Sequence, residues 1–130
     1  MGRLRTATLE RVERFADRVL DLAEALEGQG RFRRIVEQVA ASGTSVGANL
    51  FEADQAVSSK DFARTLCVVT RELNETRYWI RLIGRRGWIN PTRLDDLLQE
   101  CEELLAMFNA MIVRTRKPTT HPRTLTDTPS

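Results

Sequence analysis

Apolar residues recur along this chain at alternating spacings of three and four, the period that lines one face of an α-helix. In a first segment, Thr6 to Leu26, the series is Leu9, Val12, Ala16, Val19, Ala23 and Leu26. A second, Arg31 to Val57, carries Phe32, Val36, Val39, Gly43, Val46, Leu50, Ala53 and Val57 without a break in register. A third, opening near Ser59, has Phe62, Leu66, Val69, Leu73, Thr76, Ile80 and Ile83. A fourth, running to Arg114, has Leu94, Leu97, Cys101, Leu104, Phe108 and Met111. No stretch alternates with the two-residue period of a strand.

The punctuation between the segments agrees with helix ends. "EGQGR" closes the first, with Gly28 as a natural residue past the helix end. "SSKD" offers Ser58 or Ser59 as an N-cap and places Asp61 in a first turn, where a carboxylate complements the helix dipole. "GRRG" closes the third, and Asn90 with Pro91 makes a cap followed by proline at the first helical position. Mostly short connections imply antiparallel neighbours, so residues 1–117 are predicted to form an all-α, antiparallel up-down four-helix bundle. The remainder, 118–130, "PTTHPRTLTDTPS", is rich in Thr and Pro and is expected to be a mobile tail.

One stretch conflicts with its own helix. "ASGTSVGANLFEA", Ala41 to Ala53, holds two glycines and three Ser or Thr residues in the middle of the second helix. Those choices sacrifice about 2–3 kcal/mol of helix propensity. Gly43 lies on the apolar seam, where its missing side chain admits either a closely approaching helix or a kink. Beside the seam runs a second stripe, Gln38, Ser42, Ser45, Asn49 and Glu52, and the third helix has a matching flank of Thr65, Val68, Glu72, Glu75, Trp79 and Leu82. These stripes are a solvated face, a hydrogen-bonded network between the helices, or a contact with another subunit. Trp79 and the small Ser42 and Ser45 favour a contact.

"SGTSVGANLFEA", then "SKDF", then "ELNETRYWIRLI", in that order, resemble the four-helix bundle family known from proteins encoded within 23S ribosomal RNA intervening sequences. The residues that carry the resemblance are Ser42, Gly43, Ser45, Gly47, Asn49 and Glu52, then Asp61 and Phe62, then Glu72, Glu75, Thr76, Tyr78 and Trp79. Phe51 departs from it, since polar residues are commoner there, and puts an aromatic on the surface or in a contact. The resemblance implies a homopentamer, a barrel of bundles around a central channel. It extends to the accessory protein of diversity-generating retroelements, which associates with a reverse transcriptase and nucleic acid.

Composition narrows the chemistry. At 130 residues the chain suffices for one domain with a single core. Cys67 and Cys101 have no Cys or His at ligand spacing, so reduced thiols are expected. The N-terminal "MGRLRTATLERVERF" has no apolar run long enough for a signal or a membrane span, and a cytoplasmic location without membrane contact is expected. The only histidine, His121, lies in the tail, and no Glu-x-x-His motif occurs. "SGTSVGAN" lacks the Gly-Lys-Ser/Thr ending of a phosphate loop. Glu72 and Glu75 are better read as a structural network than as a catalytic pair. Neither catalysis, a cofactor nor a metal is expected.

A net charge of +2 says little, but its placement says more. From Arg77 to Arg93 there are five arginines, 77, 81, 85, 86 and 93, and no carboxylate, while Leu94 to Val113 holds five acids and no Lys or Arg. Arg77, Arg81 and Arg85 form a ridge at spacing four, ending in Arg86. Arg114, Arg116 and Lys117, and Arg31, Arg33 and Arg34, make further clusters. The start of the second helix and the end of the third are expected at different ends of the bundle, so the arginines need not form one patch. They pair with acids of a neighbouring helix or subunit, contact phosphates, or meet an acidic protein. Trp79 and Tyr78 are too few to build an aromatic platform for single-stranded bases. The expected function is a non-catalytic oligomeric scaffold that binds RNA or DNA without sequence preference; the alternative is a protein-binding adaptor, for example for a reverse transcriptase.

Overall fold

The structure, a computed structural model, describes residues 2–117, and the tail expected for 118–130, His121 included, lies outside the described residues. Four helices follow in order: α1 (Thr6–Gly28), α2 (Arg33–Asp54), α3 (Ser59–Arg85) and α4 (Pro91–Arg116), with no strand among the described residues. Each packs on its neighbour in sequence, α1 on α2, α2 on α3 and α3 on α4, whereas α1 and α4 approach at few backbone positions. The short connections reverse the chain each time, giving the up-down path.

The seams meet in one core. The third-helix series from Phe62 to Ile83 is buried throughout, and Phe15 and Phe108 are the largest side chains fully enclosed. Phe15, Leu22, Leu105 and Ile112 join the core beside the expected seam, because a core-facing helix buries a stripe wider than one residue row. Three expected core residues do not: Ala16 stays half-buried outside the cluster, and Phe32 and Val57 are exposed. α2 starts and stops inside the predicted range, leaving Phe32 as its N-cap, 70% exposed, and Val57 beyond its end, 89% exposed.

The helix ends are closed by local chemistry. Ser58 Oγ accepts from Asp61 N at 3.1 Å and Asn90 Oδ1 from Thr92 N at 3.1 Å, as the cap signals indicate. α1 closes two residues later than expected, on Gly30 rather than Gly28. Gly30 has φ +71°, and the amides of Gly30 and Arg31 donate to the carbonyls of Glu27 and Leu26. α3 ends identically on Gly87, φ +70°, with the amides of Gly87 and Trp88 donating to Gly84 and Ile83. Both are Schellman motifs, and they place Arg31 and Trp88 at equivalent positions.

The puzzling glycine is explained by close approach. A Cβ on Gly43 would lie 2.4 Å from Val19 Cγ1 and 2.8 Å from Val19 Cβ, so α1 sits in the notch on α2. At the opposite end of the bundle, residues 2–5 form a strap across the α2–α3 turn. Leu4 N donates to Asp54 Oδ1 at 2.7 Å, Arg3 N to Asp54 O at 3.0 Å and Arg3 Nε to Ala56 O at 2.9 Å.

Candidate functional site

Counting turns in the bundle assigns every connection to an end. α1 runs from the strap end to the far end, α2 returns, α3 runs out again, and α4 returns. The start of α2 and the end of α3 therefore share one end, contrary to the sequence expectation that separates them. Side chains confirm this meeting of the α1–α2 and α3–α4 loops: Gln29 Nε2 donates to Trp88 O at 3.1 Å, and the Arg31 guanidinium lies 5.1 Å over the Trp88 ring. The chain makes two helix passes and one reversal between the start of α2 and the end of α3, which returns it to the same end.

The merged loop end is rich in arginine, with Glu24, Glu27, Glu37, Asp95 and Asp96 at its margin. Residues 28–36 and 76–94 contain eight arginines, 31, 33, 34, 77, 81, 85, 86 and 93, and no carboxylate. The ion pairs among the described residues join Arg11 to Glu100 and Glu103, Arg33 to Glu37, and Arg64 to Asp61. None involves Arg77, Arg81, Arg85 or Arg86, so pairing with a neighbouring helix of the same chain does not account for the ridge. Arg77 is half-buried and donates to Asn74 Oδ1 at 3.0 Å. Arg81 and Arg85 are exposed and line a shallow groove of about 250 Å³ with Gly84, Pro91, Leu94 and Asp95.

Arg114, Arg116 and Lys117 lie at the other end, all exposed. Arg114 joins Arg3 and Arg5 around an open cleft of about 550 Å³ floored by Phe62, Met107 and Met111. Arg116 Nη2 lies 3.4 Å from Cys67 Sγ. The chain thus has two arginine-rich ends separated by the length of the bundle, and α1 and α4 carry most of the acids.

The stripe residues divide into two groups. Ser42 and Gly43 are buried within the chain: Thr76 Oγ1 lies 3.0 Å from Ser42 Oγ, a hydroxyl pair joining α3 to α2, with Val39 O and Glu72 O as the outer acceptors at 3.3 and 2.8 Å. They are interhelix contacts. Ser45, Gly47, Asn49, Glu72 and Trp79 are half-buried, while Glu52 and Glu75 are exposed. Asn49 Nδ2 bonds its own helix at Ser45 O, 2.9 Å, so a side-chain network along both stripes does not form. Burial, then the charge of Glu75, pushes the Glu72 carboxyl above the usual carboxylate range, with Arg71 opposing. Trp79 Nε1 is buried with no hydrogen-bond partner among the described residues. Phe51 is exposed.

Burial pushes the Cys101 thiol up to about 12, leaving it protonated at neutral pH. Among the described residues no group of three or more His, Cys, Asp or Glu side chains is placed to hold a metal ion. No described helix is long and apolar enough to cross a membrane.

A family model described as 23S rRNA-intervening sequence protein matches residues 6–110, which covers α1, α2, α3 and most of α4. The chain belongs to the 23S rRNA-intervening sequence protein family. A crystal structure of a protein of unknown function from the S23 ribosomal protein family of Bacteroides thetaiotaomicron VPI-5482 is similar, with 32% identity and a TM-score of 0.76 over 80% of this chain and 96% of that one. No curated protein matches the sequence. As a member of the 23S rRNA-intervening sequence protein family, the chain keeps Ser42, Gly43 and Thr76 for its own helix packing and leaves the half-buried stripe and the two arginine-rich ends to the surface.

Proposed function

We propose that this chain is a non-catalytic homo-oligomeric scaffold that binds structured RNA or DNA through its basic surfaces, without sequence preference. The observation that carries the reading is the gathering of eight arginines at one end of the bundle, in two segments that contain no carboxylate. Such a surface attracts phosphate backbones of any sequence and releases their counterions. Assembly, as a pentamer on the resemblance, repeats the surface around an axis and multiplies weak contacts. The half-buried stripe of Ser45, Asn49, Glu72 and Trp79 on α2 and α3 supplies its contact face, with Gly47, Glu52 and Glu75 at the margin.

The test is the salt dependence of binding. Affinity should fall with log salt at a slope near ~0.9 per phosphate contact on duplex DNA and ~0.7 on single strands. Arg81→Ala with Arg85→Ala should flatten that slope and weaken every sequence alike, with the oligomer intact. An unchanged slope removes the ridge from the interface, and dissociation into smaller species makes the arginines intersubunit pairs. Light scattering that finds a monomer at micromolar concentration rejects the assembly.

The exposed Phe51 and the similarity to the accessory protein of diversity-generating retroelements favour a second reading, an adaptor for a protein such as a reverse transcriptase. A pull-down analysed for both nucleic acid and protein separates the two.

A further inference from the structure

The loop end carries more than charge. Phe32, which the helical register assigns to the core, is 70% exposed at the N-cap of α2. Its ring centroid lies 6.4 Å from that of Trp88, tilted by 50°. Arg31 covers the Trp88 ring at 5.1 Å, and its Nε donates to Gln29 Oε1 at 2.9 Å while Gln29 Nε2 holds Trp88 O at 3.1 Å. The two Schellman turns fix the backbone on both sides. The pair is therefore built, and the aromatic platform that the scarcity of Tyr78 and Trp79 seemed to rule out is assembled from residues 56 positions apart in sequence.

Cations flank the rings on both strands of the chain. Arg33 and Arg34 follow Phe32 directly and are exposed, Arg33 with an ion pair to Glu37 at 3.2 Å. Arg85 and Arg86 precede Trp88 and are exposed, with no ion pair among the described residues. An exposed aromatic ring between arginines is the arrangement that stacks an unpaired base while the guanidinium groups hold the adjoining phosphates. A duplex offers its phosphates to the same arginines but has no free base face for Phe32.

We propose that the Phe32–Trp88 end of the bundle is a stacking site for single-stranded nucleic acid, with Phe32 as the base platform and Arg34, Arg85 and Arg86 as phosphate contacts. The site rests on the nucleic-acid reading above and narrows it to unpaired strands or loops.

The experiment compares a fluorescein-labelled oligouridylate with an RNA duplex carrying the same number of phosphates, by anisotropy, on the full chain. Phe32→Ala should weaken the oligouridylate between about five- and a hundredfold, the range for loss of one stacked base, and change the duplex by less than about twofold. Phe32→Trp should restore single-strand binding. Arg85→Ala with Arg86→Ala should weaken both ligands. Because Phe32 is exposed, its thermal midpoint serves as a folding control. If Phe32→Ala changes neither ligand, or both equally, stacking is overturned while loss of binding in the arginine variant still upholds the nucleic-acid reading. If the unaltered protein binds neither RNA, nor an oligothymidylate or a DNA duplex of the same lengths, both readings fall, and capture of an acidic protein by the same arginines would take their place.

Discussion

Gly43 yields its side-chain volume to Val19, whereas Gly47, one turn further along α2, does not yield its volume to anything: a Cβ there would stand 3.6 Å from Val12 Cγ1, an ordinary contact. The two glycines therefore respond oppositely to alanine. Gly43→Ala should destabilise by about 1–3 kcal/mol through overpacking, more than the helix propensity gained. Gly47→Ala should stabilise by up to about 1 kcal/mol. Urea unfolding of the two variants, with Val19→Ala restoring the first, checks the notch.

The strap at the other end depends on Asp54, which is 9% exposed and accepts from Leu4 N. Asp54→Ala should leave that amide without its acceptor and cost about 1.5–3 kcal/mol, the range for a hydrogen bond to a charged group. Hydrogen exchange at Leu4 should accelerate, and residues along the α2–α3 interface should keep their protection. Uniform acceleration would mean that the strap is part of the global unfolding unit.

Two glutamates should respond to acid with opposite sign. Arg11, donating through Nε at 2.9 Å and again through Nη2, holds Glu100 below the usual carboxylate range, against burial. Its stabilisation is present above the unfolded value of about 4.3 and is lost as pH falls through the lowered folded value. Glu72 is raised by burial and by Glu75, so its protonated form favours folding at low pH, and that contribution is lost as pH rises through the folded value. At neutral pH, Glu100→Gln should lower the thermal midpoint by the equivalent of about 0.5–1 kcal/mol, and Glu72→Gln should raise it. Both differences should shrink toward pH 3.

The buried hydroxyl pair is a smaller, specific test. Removing either partner leaves the other its backbone acceptor, Val39 O for Ser42 and Glu72 O for Thr76. Ser42→Ala should therefore cost only about 0.5–1.5 kcal/mol, and a double-mutant cycle with Thr76→Val should show coupling between α2 and α3. An absence of coupling would mean the 3.0 Å contact contributes nothing of its own.

The helices were legible because the core residues obey the period and because Ser58, Asn90 and Pro91 are strong local signals. The α3 seam is buried from Phe62 to Ile83 as written. The stops were less legible: "GQG" contains two candidate glycines, and only the positive φ of Gly30 tells them apart. Phe32 kept the helical register one residue beyond the helix, where periodicity no longer determines burial. The candidate site was half visible. Its arginines are in the sequence, but their meeting with Phe32 requires the direction of each helix to be followed through the whole bundle. Asp54 gave no signal, since its partners are main-chain groups of residues 3 and 4, whose position only the fold supplies.

The serial packing of α1 on α2, α2 on α3 and α3 on α4 governs how quickly the chain can find its fold. Nearly every helix contact joins neighbours in sequence, so little chain entropy has to be lost before contacts form, and folding in roughly microseconds to milliseconds is expected for such low contact order. The exception is the Arg11–Glu100 clasp, which closes 89 residues. It should form after the rate-limiting step, so breaking it should quicken unfolding and leave the folding rate almost unchanged.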